Sequence, residues 1–242
     1  MWRDIQPLAA PYYCFMATET VPIFTKEFTD PIDERARRAM CTIRLLFGGQ
    51  VRLHEKMIVP HLGQFTGMGL GGHASLETTN APGQQSHVNG SRVDEIQLVY
   101  EGLAEFSREF PVAFSRFQAT GYRATSDDQV IDASIVMENL LLPEENQELA
   151  YRFAVRLACL LGTNSSERRS WFETARELYK LRSALVHGDA KQIDKIKARS
   201  QDDWGQKSVS IAASTILTVL KIRREHPDSP WKNVMSDLLP FV

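Results

Sequence analysis

The stretch "SDDQVIDASIVMENLLLPEENQELAYRFAVRLACLLG" (residues 126–162) decides the fold of this 242-residue chain. Its first half opens with an aspartate-rich cap and then becomes almost wholly apolar, which predicts a helix buried at the centre of the protein. Pro143 is expected to end that helix and to stand in the first turn of a second one, which Gly162 ends. The pair predicts the core of a helical bundle.

Helical patterns continue on both sides of this pair. Pro111 is expected to kink or divide the run "VDEIQLVYEGLAEFSREFPVAFSRFQATGY", and a capping box from Ser170 to Glu173 suits "SSERRSWFETARELYKLRSALVHG". A short basic helix capped by Asp189 and a further amphipathic helix, "GQKSVSIAASTILTVLKIRRE", follow. Residues 93–242 are therefore predicted to form the bundle, and the protein to be mainly α.

The first part of the chain, residues 1–62, predicts a small N-terminal α/β subdomain. The stretches "TETVPIFTKEF" (residues 18–28) and "GQVRLHEKMIVPH" (residues 49–61) show strand-like alternation. Between them, Asp30 as N-cap and Pro31 at the first helical position predict a helix that the pair of glycines from Gly48 ends.

Residues 63–92 predict a flexible linker, because glycine, serine, asparagine and proline crowd there without apolar periodicity. The spacing Gly67-x-Gly69-x-x-Gly72 matches a dinucleotide-binding pattern. That pattern requires a preceding strand and a helix that opens at the third glycine, and a polar, proline-containing stretch follows instead. A linker is the favoured interpretation.

Composition predicts a soluble, cytoplasmic globular protein. The chain is 43% hydrophobic and 24% charged, and no apolar run approaches the roughly 20 residues that span a bilayer. Its first residues lack the basic start and clean apolar segment of a signal peptide. The three cysteines, Cys14, Cys41 and Cys159, form neither a metal-ligand spacing nor a disulfide framework.

Charge is unevenly distributed along the chain. Residues 152–224 hold 15 Lys/Arg against 7 Asp/Glu, so this region carries +8 and the rest −10 of the formal net charge of −2. Residues 126–148 hold 7 acidic residues and no basic one. Two interpretations stay open: a solvated mixed-charge helix surface, or a basic face that meets a polyanion.

The segment "LYKLRSALVHGD" (residues 178–189) carries the candidate chemistry. None of the six histidines has a metal-ligand spacing, and nucleophile elbows and P-loops are absent from the sequence. What remains is Arg182 and His187. An arginine offers a fork of donors to phosphate oxygens, and an imidazole moves a proton near neutral pH. Together the two suffice for metal-independent RNA cleavage, with no cofactor.

The geometry of this pair leaves two interpretations. Positions five apart on an ideal helix are rotated by about 140° and do not share a face. Gly188, as a left-handed C-terminal residue, is expected to let the last turn reorient His187 towards Arg182. Alternatively, His187 only interacts favourably with the helix macrodipole, and Arg182 is a solvated surface charge.

The segment resembles the HEPN superfamily, whose ribonuclease members carry Arg-x4–6-His at the end of a bundle helix, often with a polar residue after the arginine. Those positions are Arg182, Ser183 and His187 here. The resemblance is closest to the Apea-like HEPN branch, since Tyr179 precedes the arginine and Gly188 follows the histidine. The stretch "DASIVMENLLLPEENQELAYRFAVRLACLLG" looks like that branch's paired helices, and the resemblance extends over residues 93–225.

This resemblance implies a metal-independent endoribonuclease that dimerises, so that two motifs share one composite active site. His187 would be the general acid/base, Arg182 would stabilise the phosphate and Ser183 would assist. RNA would be cut through 2′-OH attack, in anti-phage defence or as a toxin with an antitoxin or regulatory partner. Two alternatives are a catalytically inactive HEPN module that binds nucleic acid or protein, and a sensor whose N-terminal unit binds a ligand.

Glu138 interrupts an apolar run, and a buried carboxylate requires a partner. Arg182 is the expected partner; the alternatives are an exposed position or pairing with Arg152 or Arg156. These last two arginines, on one helix face, are candidates for RNA contact or for structural ion pairing.

Three further side chains near the motif are candidates for RNA contact or support. Lys180 is a candidate for RNA contact, and Tyr179 is a candidate for supporting the catalytic residues. Trp171 and Tyr179 are candidates for base stacking or, alternatively, for the core.

Overall fold

The computed structural model describes residues 26–48, 55–57, 73–75, 93–143, 147–199 and 203–238. Within these ranges the protein is mainly helical, as predicted. The elements are α1 (Lys26–Phe47), β1 (Glu55–Met57), β2 (His73–Ser75), α2 (Val93–Glu109), α3 (Pro111–Thr120), α4 (Ser126–Leu141), α5 (Leu149–Leu161), α6 (Ser165–His187), α7 (Ala190–Lys197), α8 (Trp204–Glu225) and α9 (Trp231–Leu238).

Helix α4 lies at the centre of the bundle and contacts α3, α5, α6 and α8. Six of its apolar side chains have no exposed surface, which confirms the prediction of a buried central helix. These fully buried residues are Val130, Ala133, Val136, Met137, Leu140 and Leu141. Helix α8 packs along α4, and α6 packs mainly along α5. Helix α6, which carries the Arg-x4-His motif, is thus held against the core by α4 and α5.

Local sequence signals place some helix ends correctly and others wrongly. Pro111 does divide its run, because α2 ends at Glu109 and α3 begins at Pro111. The predicted capping box from Ser170 is wrong: Asn164 caps α6 by accepting the backbone N–H of Glu167 at 3.0 Å. Helix α5 does not begin at Pro143 but at Leu149, where the apolar residues resume.

The first helix belongs to the bundle by its contacts with α2, α3 and α8. Buried Arg44 fixes it, since Nη1 donates to the carbonyls of Phe117 and Gln118 at 3.0 and 3.1 Å and so satisfies the C-terminal end of α3. Helix α1 begins at Lys26, four residues before the expected cap at Asp30. It ends before Gly48, as predicted, and that glycine has a left-handed φ of 67°.

The predicted N-terminal α/β subdomain is not shown by the described residues. The prediction of a strand over residues 18–28 is wrong at its end, because residues 26–28 lie in α1. Strand β1 lies inside the second expected strand, whereas β2 lies inside the expected linker, and the two pair in antiparallel register. The remaining residues of these predictions, with the glycine pattern at 67–72, fall outside the described ranges.

Two long side chains satisfy the last carbonyls of α4, which have no partner within the helix. Trp231 of α9 donates its indole N–H to the carbonyl of Leu140 at 2.7 Å. Arg156 of α5 donates to the carbonyl of Leu141 at 2.7 Å. The C-terminal end of the central helix is therefore held by side chains from α5 and α9. In the described part of the chain, no helix has the length and apolar character needed to cross a membrane.

Candidate functional site at the end of helix α6

Helix α6 carries the Arg-x4-His motif and ends in a Schellman motif directly after it. Gly188 adopts a left-handed φ of 71°, as predicted. The N–H of Asp189 donates to the carbonyl of Ala184 at 2.9 Å, and the N–H of Gly188 donates to that of Leu185 at 3.4 Å. Asp189 then caps α7, also as predicted, by accepting the backbone N–H of Gln192 at 3.1 Å.

The helix stays regular through His187, so the rotation of about 140° between Arg182 and His187 persists within one chain. Gly188 turns the chain after His187 and does not reorient it towards Arg182. His187 is exposed and shares the outer face of α6 with Ser183, four residues earlier, and Lys180, seven residues earlier. One chain therefore presents its histidine outwards and its arginine towards α4.

Arg182 pairs with Glu138 across the α4–α6 contact, which confirms the expected partner. Its Nη2 donates to Glu138 Oε2 at 3.0 Å, and the two side chains are 27% and 21% exposed. In the described part of the chain, Glu138 Oε1 and Arg182 Nε are buried and accept or donate no hydrogen bond. The ion pair thus fixes the guanidinium at the edge of the core and leaves part of each group's hydrogen-bonding capacity unused.

Burial governs the electrostatics around this pair. Burial raises the pKa of Glu138 above its ordinary value, and the positive charge of Arg182 only opposes that rise. Burial also raises the pKa of Tyr179; the negative charge of Glu138 adds to the rise and Arg182 opposes it. The ring of Tyr179 packs at 5.6 Å from that of Phe153. These groups form one half-buried cluster beside the motif.

The raised pKa of Glu138 predicts a pH dependence of stability. Because its ionised form is disfavoured in the folded state, folding takes up protons at this site as the pH falls from 7 towards 4.5, the ordinary value. In that window the wild type should gain stability relative to Glu138→Gln, which keeps an acceptor for Arg182 but does not titrate. Urea unfolding of both proteins between pH 7 and 4.5 measures the difference, and a relative loss for the wild type on acidification would contradict it.

Gly188→Ala is expected to lower the free energy of unfolding by about 1–2 kcal/mol, the cost of a left-handed backbone for a residue with a Cβ. Among the residues that the structure describes, none has an atom within 4 Å of the position that a Cβ would take, so the backbone alone accounts for the loss. Gly188→Asn is the matched control, because asparagine tolerates this conformation and should lose less. Equal losses in urea unfolding would show that the left-handed turn is not what matters.

The other predicted RNA-binding residues lie in different surroundings. Lys180 is exposed on the outer face of α6, whereas Arg152 is half-buried on α5. Arg156 is only 5% exposed, and its bond to the carbonyl of Leu141 makes it a structural residue in this position. Trp171 packs against the core cluster. Of these candidates, Lys180 alone faces solvent beside the motif.

The uneven charge along the chain is partly cancelled in three dimensions. Lys197 of α7 lies 2.6 Å from Asp127 at the beginning of α4. The ion pair between Arg182 and Glu138 likewise joins the basic region (residues 152–224) to the acidic stretch (residues 126–148). The acidic stretch and the basic region therefore meet at both ends of α4, and the cations left for a polyanion are the exposed ones on α6, α7 and α8.

Tyr151 was missed in the sequence. It lies on α5, is 57% exposed, and sets its ring at 6.1 Å from that of Phe172 on α6 in an edge arrangement. An aromatic residue on the polar face of an amphipathic helix was the signal that could have found it.

Among the residues that the structure describes, no group of three or more His, Cys, Asp or Glu side chains is placed to hold a metal ion. The chain matches no protein-family model, no curated protein and no solved structure.

Proposed function

We propose that this protein is a metal-independent HEPN-type endoribonuclease that works as a homodimer. The observation that carries the proposal is the Arg182–Glu138 pair at 3.0 Å, followed on the same helix by an exposed histidine and a tight turn. A fixed guanidinium of one protomer and the accessible imidazole of the other would together supply a phosphate-binding fork and a proton-transfer group. The sequence resemblance supplies the reaction class.

A dimer resolves the rotation that separates Arg182 and His187 within one chain. When the C-terminal ends of two α6 helices face each other, Arg182 of one protomer and the partner's His187 act on one phosphate. The guanidinium has five N–H donors, and the bond to Glu138 occupies one of them. Glu138 then positions the arginine, and Ser183 adds a hydroxyl donor on the outer face of α6, one turn before His187.

The reaction is an internal transfer at phosphorus. The 2′-oxygen attacks the adjacent phosphorus while the bond to the 5′-oxygen of the next nucleotide breaks. The 2′-OH loses its proton, and the leaving 5′-oxygen gains one, with His187 transferring protons as general acid/base. Arg182 stabilises the negative charge on the pentacovalent phosphorane. The products are a 2′,3′-cyclic phosphate and a 5′-OH.

The test is incubation of the purified wild type with total RNA in excess EDTA, with the ends of the products identified by mass spectrometry. We expect cleavage that leaves 2′,3′-cyclic phosphate ends, from a protein that sediments as a dimer. Lys221→Ala, which removes an exposed cation on α8, is the matched control and should cleave like the wild type. No cleavage by a folded, dimeric wild type would contradict the proposal.

The proposed biological setting is anti-phage defence or a toxin–antitoxin system, with an antitoxin or regulatory partner. Expression of an active RNA toxin should slow host growth. His187→Ala should restore growth without lowering the amount of folded protein.

The second candidate is a catalytically inactive HEPN module that binds nucleic acid or protein. It is favoured by the rotation of about 140° between Arg182 and His187, which keeps the two side chains of one chain from sharing a phosphate. This module would retain RNA without cutting it, so binding of intact RNA by the wild type, with no cyclic phosphate formed, distinguishes it from the enzyme.

A further inference from the structure

An aromatic side chain and a row of cations share the outer surface of α6 with the motif. Along this helix Arg176, Lys180, Ser183 and His187 follow one another at spacings of four, three and four residues, which places them on one face. The first two and His187 are exposed. We call these four residues the α6 outer row.

Tyr151 extends the α6 outer row at its N-terminal end. Its 57% exposed ring meets the edge of Phe172, and the guanidinium of Arg176 lies 5.7 Å from the centroid of that same Phe172 ring. Phe172 is partly buried and packs against the core cluster, so it joins the exposed tyrosine to the core. More than half of the Tyr151 side chain is therefore exposed, next to an aromatic ring that Arg176 also contacts.

Two exposed glutamates of α6 lie close to the α6 outer row. Glu173 is the nearest in the helical sequence, and its carboxylate lies 3.4 Å from Arg169. Glu177 lies three residues before Lys180, the same spacing that joins Lys180 to Ser183, so it is a helical neighbour of that lysine. Arg176 and Lys180 remain as exposed positive charges in line with His187.

From this arrangement we infer that single-stranded RNA lies along the α6 outer row, with one unpaired base stacked on Tyr151. Base stacking on an aromatic side chain combined with cations that follow the phosphates is how proteins hold single strands without reading sequence. Phe172 and His187 are separated by 15 residues, or about 22 Å of helix. A strand bound this way spans several nucleotides and delivers a phosphate to His187. This inference rests on the proposed function for its choice of RNA as partner.

The test measures RNA affinity separately from cleavage. His187→Ala serves as the parent protein, and the probe is a single-stranded RNA oligonucleotide with 2-aminopurine at successive positions. Adding Tyr151→Ala should weaken binding by about 5- to 150-fold and abolish the quenching of one 2-aminopurine position. Tyr151→Phe keeps the ring and should bind like the parent. Arg176→Ala and Lys180→Ala should each reduce the slope of log affinity against log salt by about 0.7, whereas Lys221→Ala should not.

The outcomes distinguish this inference from the proposed function. Equal affinity of the Tyr151→Ala and Tyr151→Phe proteins would overturn the binding path, even if the wild type cleaves RNA. No binding of the oligonucleotide by the parent would overturn it as well. Binding that depends on the Tyr151 ring, in a wild type that does not cleave, would support the path and refute the nuclease.

Discussion

His187→Ala is expected to lower the rate of RNA cleavage by about 10²- to 10⁴-fold, the usual contribution of a general acid/base. The fold should remain intact, because His187 is exposed at the end of α6 and the Schellman hydrogen bonds are made by the backbone around it. Single-turnover cleavage at saturating RNA measures the chemical step, and urea unfolding verifies that the variant is as stable as the wild type. A loss below tenfold would show that His187 does not transfer the proton.

Arg182→Ala should lower the same rate by about 10²- to 10³-fold, since it removes a donor aimed at the developing charge. Unlike the histidine variant, it also strands the carboxylate of Glu138, so part of any loss can come from altered packing at the α4–α6 contact. The double substitution of Glu138→Gln with Arg182→Ala removes the stranded charge. If the double variant still cleaves slowly, the loss comes from the missing guanidinium and not from the stranded carboxylate.

Mixing the two inactive variants tests whether the site is shared between protomers. A heterodimer of His187→Ala and Arg182→Ala chains contains one site with an intact Arg182 and the partner's intact His187. Random exchange of protomers makes half of the dimers heterodimers with one working site of two, so about a quarter of wild-type activity should return. Activity that stays at the level of the separate variants would contradict the composite site.

The central helix and the turn after the motif could be predicted because their signals are local and strong. Helix α4 carries a long, nearly uninterrupted apolar run, which is typical of a buried helix. Gly188 and Asp189 stand where a left-handed residue and a side-chain cap are required, and the structure has both. The pairing of Glu138 with Arg182 followed from the cost of burying a carboxylate without a partner.

Other features depend on choices that local sequence leaves nearly balanced. Asn164 and Ser170 both suit an N-cap, and the pairing of Glu167 with the Thr163 backbone and hydroxyl, at 2.9 and 2.7 Å, favours the earlier start of α6. The direction of His187 depends on the last helical residue, because each residue added rotates the side chain by about 100°. A change of one residue in where a helix begins or ends is hardly visible in the sequence, but it redirects a side chain of the site.

Helix α9 was absent from the sequence prediction because its stabilising contacts are distant in the chain. It has eight residues, too few to be stable alone, and Trp231 reaches a carbonyl 91 residues earlier. Its ring also meets that of Phe110 at 5.7 Å, edge to face. A short amphipathic segment of this kind becomes a helix only where the core provides a place for its tryptophan.

Trp231→Ala is accordingly expected to lower the free energy of unfolding by about 3–5 kcal/mol, the usual cost of truncating a buried tryptophan. The side chain is 6% exposed, so its removal leaves a cavity against Phe110 and takes the indole donor from the carbonyl of Leu140. Trp231→Phe is the matched control: it retains most of the packing, loses the hydrogen bond, and should lose only about 1–3 kcal/mol. Urea unfolding with the slope compared between variants measures both.

The same substitution reports on how α9 supports the site. Leu140 lies two residues after Glu138, so loosening the C-terminal end of α4 should reach the carboxylate that holds Arg182. Trp231→Ala should therefore reduce RNA cleavage under conditions where the protein is still folded, whereas Trp231→Phe should cleave nearly as well as the wild type. If folded Trp231→Ala cleaved at the wild-type rate, the position of Arg182 would not depend on the end of α4, and Glu138 would hold it alone.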